Sequence, residues 1–194
     1  MIGYTAPMIA VALKEWQITC NLLLRGELAF LLRKGGIHER SGPGAFELDH
    51  PRFALFPATE HQQPQMLKPP YREEASVDPG PPRQITFRGY GAAAGIRVVP
   101  SRQAFDQLDD LHPWAKAQID MRFDYRSENP LYLVAVRAYR LVEAKTIAYR
   151  PAFAGCHSWV PLNADEAVDP TEATPAMDDA AFARIVDRIE AAVG

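Results

Sequence analysis

Cysteine is nearly absent: 194 residues carry only Cys20 and Cys156. The two are far apart and each sits in apolar surroundings, so they read as buried free thiols in preference to a bridge, and a fold stapled by several disulfides is excluded. The five histidines are scattered and form no close-spaced ligand pair of the zinc type, so no metal and no cofactor is indicated. Positive charge is not in excess either. A net charge of −3 argues against a protein that coats nucleic acid through bulk charge, while leaving a local basic lip open. No run approaches the about 20 apolar residues needed to span a bilayer. The stretch Met1-Ile2-Gly3-Tyr4-Thr5 lacks the positive segment of a signal peptide. A cytoplasmic setting with no membrane partner is the expectation. Internal repeats and low-complexity tracts are missing.

What is present is an ordinary globular composition, 47% hydrophobic and 23% charged, in a length that suits one domain or a domain with a tail. Proline is abundant, with 17 residues concentrated in loops. The organising stretch runs from Leu28 to Ile37. Its apolar residues Leu28-Ala29-Phe30-Leu31-Leu32 are too few and too continuous for a surface helix, which predicts a strand over 28–33 buried on both faces. Such a strand delivers Arg33 and Lys34 to its end, where Gly35 and Gly36 permit a sharp turn or close approach of backbone to an anion.

Two periods compete from Ile9 to Leu24. Ile9, Leu13, Trp16, Cys20 and Leu23 fall at helical spacing, whereas Trp16, Ile18, Cys20 and Leu22 alternate. Length and the position of Gly26 favour a helix capped by that glycine. Residues 35–51 read as loop, and Phe53 to Phe56 as a short strand stopped by Pro57. A proline-rich loop covers 64–82. Residues 84–99 read as a strand or hairpin, with Gly89, Gly91 and Gly95 allowing a bend or bulge. Ser101 caps a helix over 102–111, and Pro113 opens a second helix to about Phe123. Alternation predicts a strand over 131–141 and an edge strand over 158–162, with a loop at 142–154. Residues 1–162 form one domain on this reading, and 163–177 an acidic, proline-containing linker. Residues 178–193 are an amphipathic helix that docks on the domain through Phe182, Ile185, Val186, Ile189 and Val193.

Several of these segments resemble a bacterial family of unknown function, DUF1802. They include Ala12-Leu13-Lys14-Glu15-Trp16, Leu32-Arg33-Lys34-Gly35-Gly36-Ile37, Phe56-Pro57 with His61-Gln62, and His112 with Trp114. Arg122-Phe123, Val136-Arg137-Ala138-Tyr139-Arg140-Leu141 and Ala154-Gly155-Cys156-His157-Ser158-Trp159 complete the set. The resemblance covers about residues 10–193. Ala58 stands where that pattern has threonine, and His157 where it has lysine. A weaker, fold-level resemblance is to the ASCH branch of PUA-like domains, in which a helix and a glycine precede a strand whose polar end borders the ligand cleft. That resemblance implies an α+β fold built on a small mixed barrel flanked by helices. It also implies a partner that is RNA, a modified nucleic acid or a nucleotide-like small molecule.

The candidate chemistry follows from the residue types. Arg33, Lys34 and Arg40 with Lys68 would meet phosphate, helped by the backbone of Gly35 and Gly36. His61 and Gln62 would border a base pocket, and Trp114 would stack on a base. His38 and Glu39 are placed to join the same site. The bland readings are solvated cations, a loop histidine and a core tryptophan. A hydrolase using His61 or Glu60 as general base is the rival function. Cys156 and His157 are adjacent in an expected strand, so their side chains diverge and do not form a nucleophile–base pair. Glu143-Ala144-Lys145 has the form found in metal-dependent nucleases but lacks an acidic partner on a preceding strand. In a third reading the C-terminal helix serves a protein partner.

Overall fold

Leu28, Ala29, Phe30, Leu31 and Leu32 are each at most 5% exposed, as a continuous apolar run requires. The last three, with Arg33, make strand β2 (Phe30–Arg33). In this computed structural model the described residues are 7–34, 50–75, 80, 82–155 and 157–194. Gly35, Gly36, His38, Glu39, Arg40 and Cys156 lie outside them.

The helical spacing read over residues 9–24 holds only in the second half of the stretch. The alternation of Trp16, Ile18, Cys20 and Leu22 falls, after Trp16, on residues that are helix, while the strand lies before them. Strand β1 (Val11–Trp16) passes directly into helix α1 (Gln17–Arg25). A helix throughout is corrected by pairing: β1 lies parallel to β3 (Arg52–Ala58) on one side and antiparallel to β6 (Trp159–Pro161) on the other. Those ladders use the backbone groups that an early helix would need. Gly26 ends α1 as expected, with φ of 77° and its N–H directed at the carbonyls of Leu22 and Leu23. Strand β3 runs through Pro57 instead of stopping there. Strand β4 (Gln84–Val98) pairs with β3 only over Arg52, Phe53 and Ala54, so the proline falls where one side of β3 has no ladder to interrupt.

Residues 84–98 are one long strand, not a hairpin. Their partner is the still longer β5 (Tyr132–Ala148). The loop expected from residue 142 is strand because Thr146, Ile147 and Ala148 pair with Thr86, Ile85 and Gln84. The register shifts between Phe87 and Gly89, and again between Ala93 and Gly95, at two of the glycines singled out from sequence.

Among the described residues the strands form one mixed sheet in the order β2-β5-β4-β3-β1-β6, with β7 (Thr174–Pro175) paired to β5. The end strands β2 and β6 do not pair with each other, so the expected closed barrel is an open, strongly irregular sheet. The α+β character stands. Beside the sheet are α2 (Pro69–Arg72), α3 (Arg102–Asp106), α4 (Lys116–Asp124) and α5 (Asp179–Val193). Ser101 and Asp178 cap α3 and α5, accepting hydrogen bonds from the N–H of Ala104 at 3.1 Å and of Ala181 at 2.7 Å. The acidic stretch before α5 is tied to the domain at Val168, which pairs with Ile9, and at β7. None of the helices is long and apolar enough to cross a membrane among the described residues.

Two cores result. Leu13, Phe53 and Leu55 point to the face covered by α1, α3, α4 and α5, where Ile18, Phe105, Ile119 and Ile189 meet them. Ala12, Ala54 and Phe56, their alternating neighbours, join Phe87, Phe153 and Val160 in the second. The helical face depends on Gly89. A Cβ there would stand 2.2 Å from Leu24 Cδ2 and 2.2 Å from the Tyr139 carbonyl oxygen, and the backbone atom cannot give way. Gly89→Ala should therefore lower stability by about 1–3 kcal/mol in urea unfolding, since overpacking on this scale forces α1 off the sheet. A loss well under about 0.5 kcal/mol would show that α1 has slack at this contact.

Candidate functional site

β1 and β3 run parallel, with Trp16 opposite Ala58, so both finish at one end of the sheet. Arg33 arrives there from β2. Its guanidinium donates to the Lys14 carbonyl at 3.0 Å and pairs with Glu15 at 2.8 Å, both side chains being only 13–14% exposed. Lys34 turns the other way. It is 9% exposed and donates at 2.6 Å to the Phe123 carbonyl in the last turn of α4, where a cation meets the negative end of the helix dipole. The pair expected to meet phosphate is thus spent on structure.

The turn after β3 reaches the same end of the sheet. Gln62 is 3% exposed, and its Oε1 accepts the Ile18 N–H at 3.0 Å, serving the first turn of α1, which has no side-chain cap of its own. His61 is exposed and holds a φ of 61°. Glu60 accepts a hydrogen bond from Tyr149 at 3.3 Å and lies 3.7 Å from Lys14, whose ammonium also donates to the Phe153 carbonyl and, at 3.0 Å, to that of Gly155. Burial, then Glu60, raises the Tyr149 pKa. Successive residues of a strand face opposite ways, so the Lys14–Glu60 group and the Glu15–Arg33 pair occupy opposite faces of β1. The segments containing Arg33 and His61 do converge, but with β1 between them. A closed pocket lined by Glu15, Thr19, Gln118 and Arg122 has a volume of about 10 Å³, room for one water and no ligand.

A hollow of another scale opens on another side of α1. A cleft of about 260 Å³ lies between α1, the end of β3 and the start of β4. Gln17 and Asn21 line it from the helix, Thr59 from the turn, and Gln84, Thr86 and Arg88 from β4, with Leu24, Leu55 and Ile85 as apolar walls. No carboxylate lines it among the described residues. Thr59 Oγ1 is buried without a hydrogen-bond partner, an expensive state that a ligand donor or acceptor would relieve. Arg88 is exposed and has neither an ion pair nor a hydrogen bond among the described residues. It sits at the register shift, between Phe87 opposite Lys145 and Gly89 opposite Arg140, and bulges commonly re-aim a side chain in this way. Cys20 shares this wall, and burial pushes its thiol pKa well up, favouring the neutral thiol. Sequence reasoning missed these six polar residues because their convergence is a product of helix docking. The glycine after Arg88 was the one local signal.

Trp114 and Lys68, expected at a base and a phosphate, meet elsewhere. Trp114 is 6% exposed, stacked at 5.3 Å on His112, which stacks at 4.9 Å on Phe105. Its faces are in the core, and it offers no platform to a base. Lys68 donates to the carbonyls of Asp109 and, at 3.0 Å, His112, and pairs with Asp109 at 3.1 Å. His112 is 4% exposed and its Nδ1 has no hydrogen-bond partner. Burial, then the Lys68 ammonium, pushes its pKa down to about 4. Between that value and the ordinary value of about 6.5 the unfolded chain binds a proton that the native protein does not, so stability rises with pH through this window and falls on acidification. The loss from this group should amount to about 3 kcal/mol between pH 7 and pH 4. His112→Phe, which keeps the stack, should show a correspondingly shallower fall in Tm from pH 7 to pH 5. Parallel curves for the two proteins would mean that His112 is not a neutral buried imidazole.

No curated protein matches the chain. Among solved structures it is similar to ASCH from Zymomonas mobilis, at 10% identity and a TM-score of 0.47, over 80% of this chain and 89% of that one. A variant of the same protein aligns at 11% identity and a TM-score of 0.45, over 80% and 91%. The model of the domain of unknown function DUF1802 matches residues 12–188, nearly the whole sheet and most of α5. The chain belongs to the DUF1802 family.

Proposed function

We propose that this protein binds a nucleotide-like ligand without transforming it, in the cleft between α1 and the β3–β4 edge. The observation that carries this reading is the buried, unpartnered Thr59 Oγ1 in a hollow with apolar walls whose other polar side chains are three amides, a second threonine and one arginine without an ion pair among the described residues. Amides and hydroxyls both donate and accept, which suits the mixed edge of a nucleobase. Arg88 supplies the charge-assisted contact for phosphate. The volume of about 260 Å³ is at the small end of ligand pockets, suited to a base with part of its sugar. Gln62 contributes by fixing the first turn of α1, and Arg33 by bracing the end of β1.

The rival hydrolase reading would use His61 or Glu60 as base. Glu60 is already engaged by Lys14 and Tyr149, and neither Glu60 nor His61 lines the cleft. Equal, background-level turnover of small amide and phosphoester substrates by wild type and His61→Ala supports the binder.

Calorimetric titration with the four ribonucleoside 5′-monophosphates and their parent nucleosides tests the assignment. Arg88→Ala should weaken monophosphate binding by about tenfold while leaving nucleoside binding unchanged. Thr59→Val should abolish binding of both and leave urea stability unchanged or slightly raised, because it removes an unsatisfied hydroxyl without changing shape. Absence of binding to wild type, or undiminished binding to Thr59→Val, overturns the reading.

A further inference from the structure

The cleft does not end at Arg88. A second hollow of about 430 Å³ adjoins it, the two sharing Asn21, Leu24 and Arg88 as a common wall. The sheet irregularity creates this second space. Between Gly89 opposite Arg140 and Phe87 opposite Lys145, β4 supplies the single residue Arg88 while β5 supplies Leu141, Val142, Glu143 and Ala144. The surplus on β5 is pushed outward, leaving Val142 67% exposed, high for an apolar residue in a strand. Leu141, Val142 and Ala144 with Leu24 give the second hollow an apolar floor.

Its charge is positive. Arg140 is exposed and donates only to backbone carbonyls, those of Leu24 at 3.0 Å, Ala176 at 3.4 Å and Pro175 at 3.2 Å, so no carboxylate offsets it among the described residues. Arg25 at the rim is neutralised by Glu27 and Glu74, at 2.7 and 2.6 Å. The acidic Glu143, Asp169 and Glu172 line a third hollow on the other flank of the bulge, which shares Leu141, Val142 and Ala144 with this one; none of the three lines the second hollow itself. Two adjoining pockets, a cation in the wall between them and a second cation beyond it match the repeat of a nucleic-acid strand: base, phosphate, base, phosphate.

We infer that the ligand is a single-stranded oligonucleotide rather than a mononucleotide, with one base in the α1–β4 cleft and the phosphodiester that follows it on Arg88. The next base lies on the apolar floor around Val142. This inference rests on the cleft reading above and extends it. The second base meets no polar side chain on that floor, so recognition there is by contact area and tolerant of sequence, while the first pocket, with its amides, discriminates. Arg140 meets the outer phosphate.

The experiment compares each ribonucleoside 5′-monophosphate with the single-stranded homotetramer of the same base, by calorimetry and by anisotropy of a labelled tetramer. The tetramer should bind at least about tenfold tighter than the best monophosphate. Val142→Asp, at an exposed position that the fold tolerates, should remove that advantage and leave monophosphate affinity unchanged. Arg140→Gln should lower the slope of log affinity against log salt by about 0.7, the value for one lost phosphate contact on a single strand. Equal affinities of tetramer and monophosphate, or a full tetramer advantage in Val142→Asp, overturn the inference and leave the cleft reading intact. Failure of wild type to bind either class overturns both.

Discussion

The close approach of α1 to β4 at Gly89 is the contact on which the rest is built. With Leu24 pressed onto a bare Cα and the Tyr139 carbonyl behind it, the helix lies nearer the sheet than any side chain would permit. That approach buries Ile18, Leu22 and Leu23 against Phe53 and Leu55, closing the larger core. It also decides where the surface hollows lie. A helix resting one side chain higher would leave no walled cleft between Asn21 and Gln84, and Thr59 Oγ1 would be wet rather than buried.

A second regularity concerns where the cations go. Lys14, Lys34, Lys68 and Arg140 all donate to main-chain carbonyls: of Phe153 and Gly155, of Phe123, of Asp109 and His112, and of Leu24. Two of those acceptors, Phe123 and Leu24, are in the last turns of α4 and α1, where carbonyls have no intrahelical donor and the dipole is negative. The others lie in short irregular connections between elements. In a chain rich in proline, which removes N–H groups, long basic side chains supply the missing donors. Arg88, held on a bulge with no hydrogen-bond partner among the described residues, is left exposed.

Much of the fold was legible. The apolar run at 28–32, the cap at Gly26, the N-cap at Ser101 and the stripe along 182–193 all rest on neighbours a few residues away. Errors fell where pairing overrides local pattern. Val11 to Trp16 became strand because β3 and β6 flank it, and residues 142–148 became strand because β4 lies beside them. Site residues fared differently. Arg33, Lys34, Gln62, Lys68 and Trp114 were marked by type and by position at element ends, yet those ends are also where a fold needs donors and packing. Exposure, which separates the two uses, depends on what docks on top.

By itself the sequence determined the element types over most of the chain, since these follow from short-range stereochemistry. Tertiary structure alone decided that the sheet stays open and that Lys34, Gln62 and Trp114 are buried while Arg33 and Lys68 bond to carbonyls of the chain. It also decided that Asn21, Thr59, Gln84 and Arg88, spread over sixty-odd residues, share one hollow. The physical reason is that a cavity belongs to the space between elements. Its walls are chosen by how closely α1 can settle on the sheet and by where the ladder slips, and both are set by contacts between residues distant in the chain.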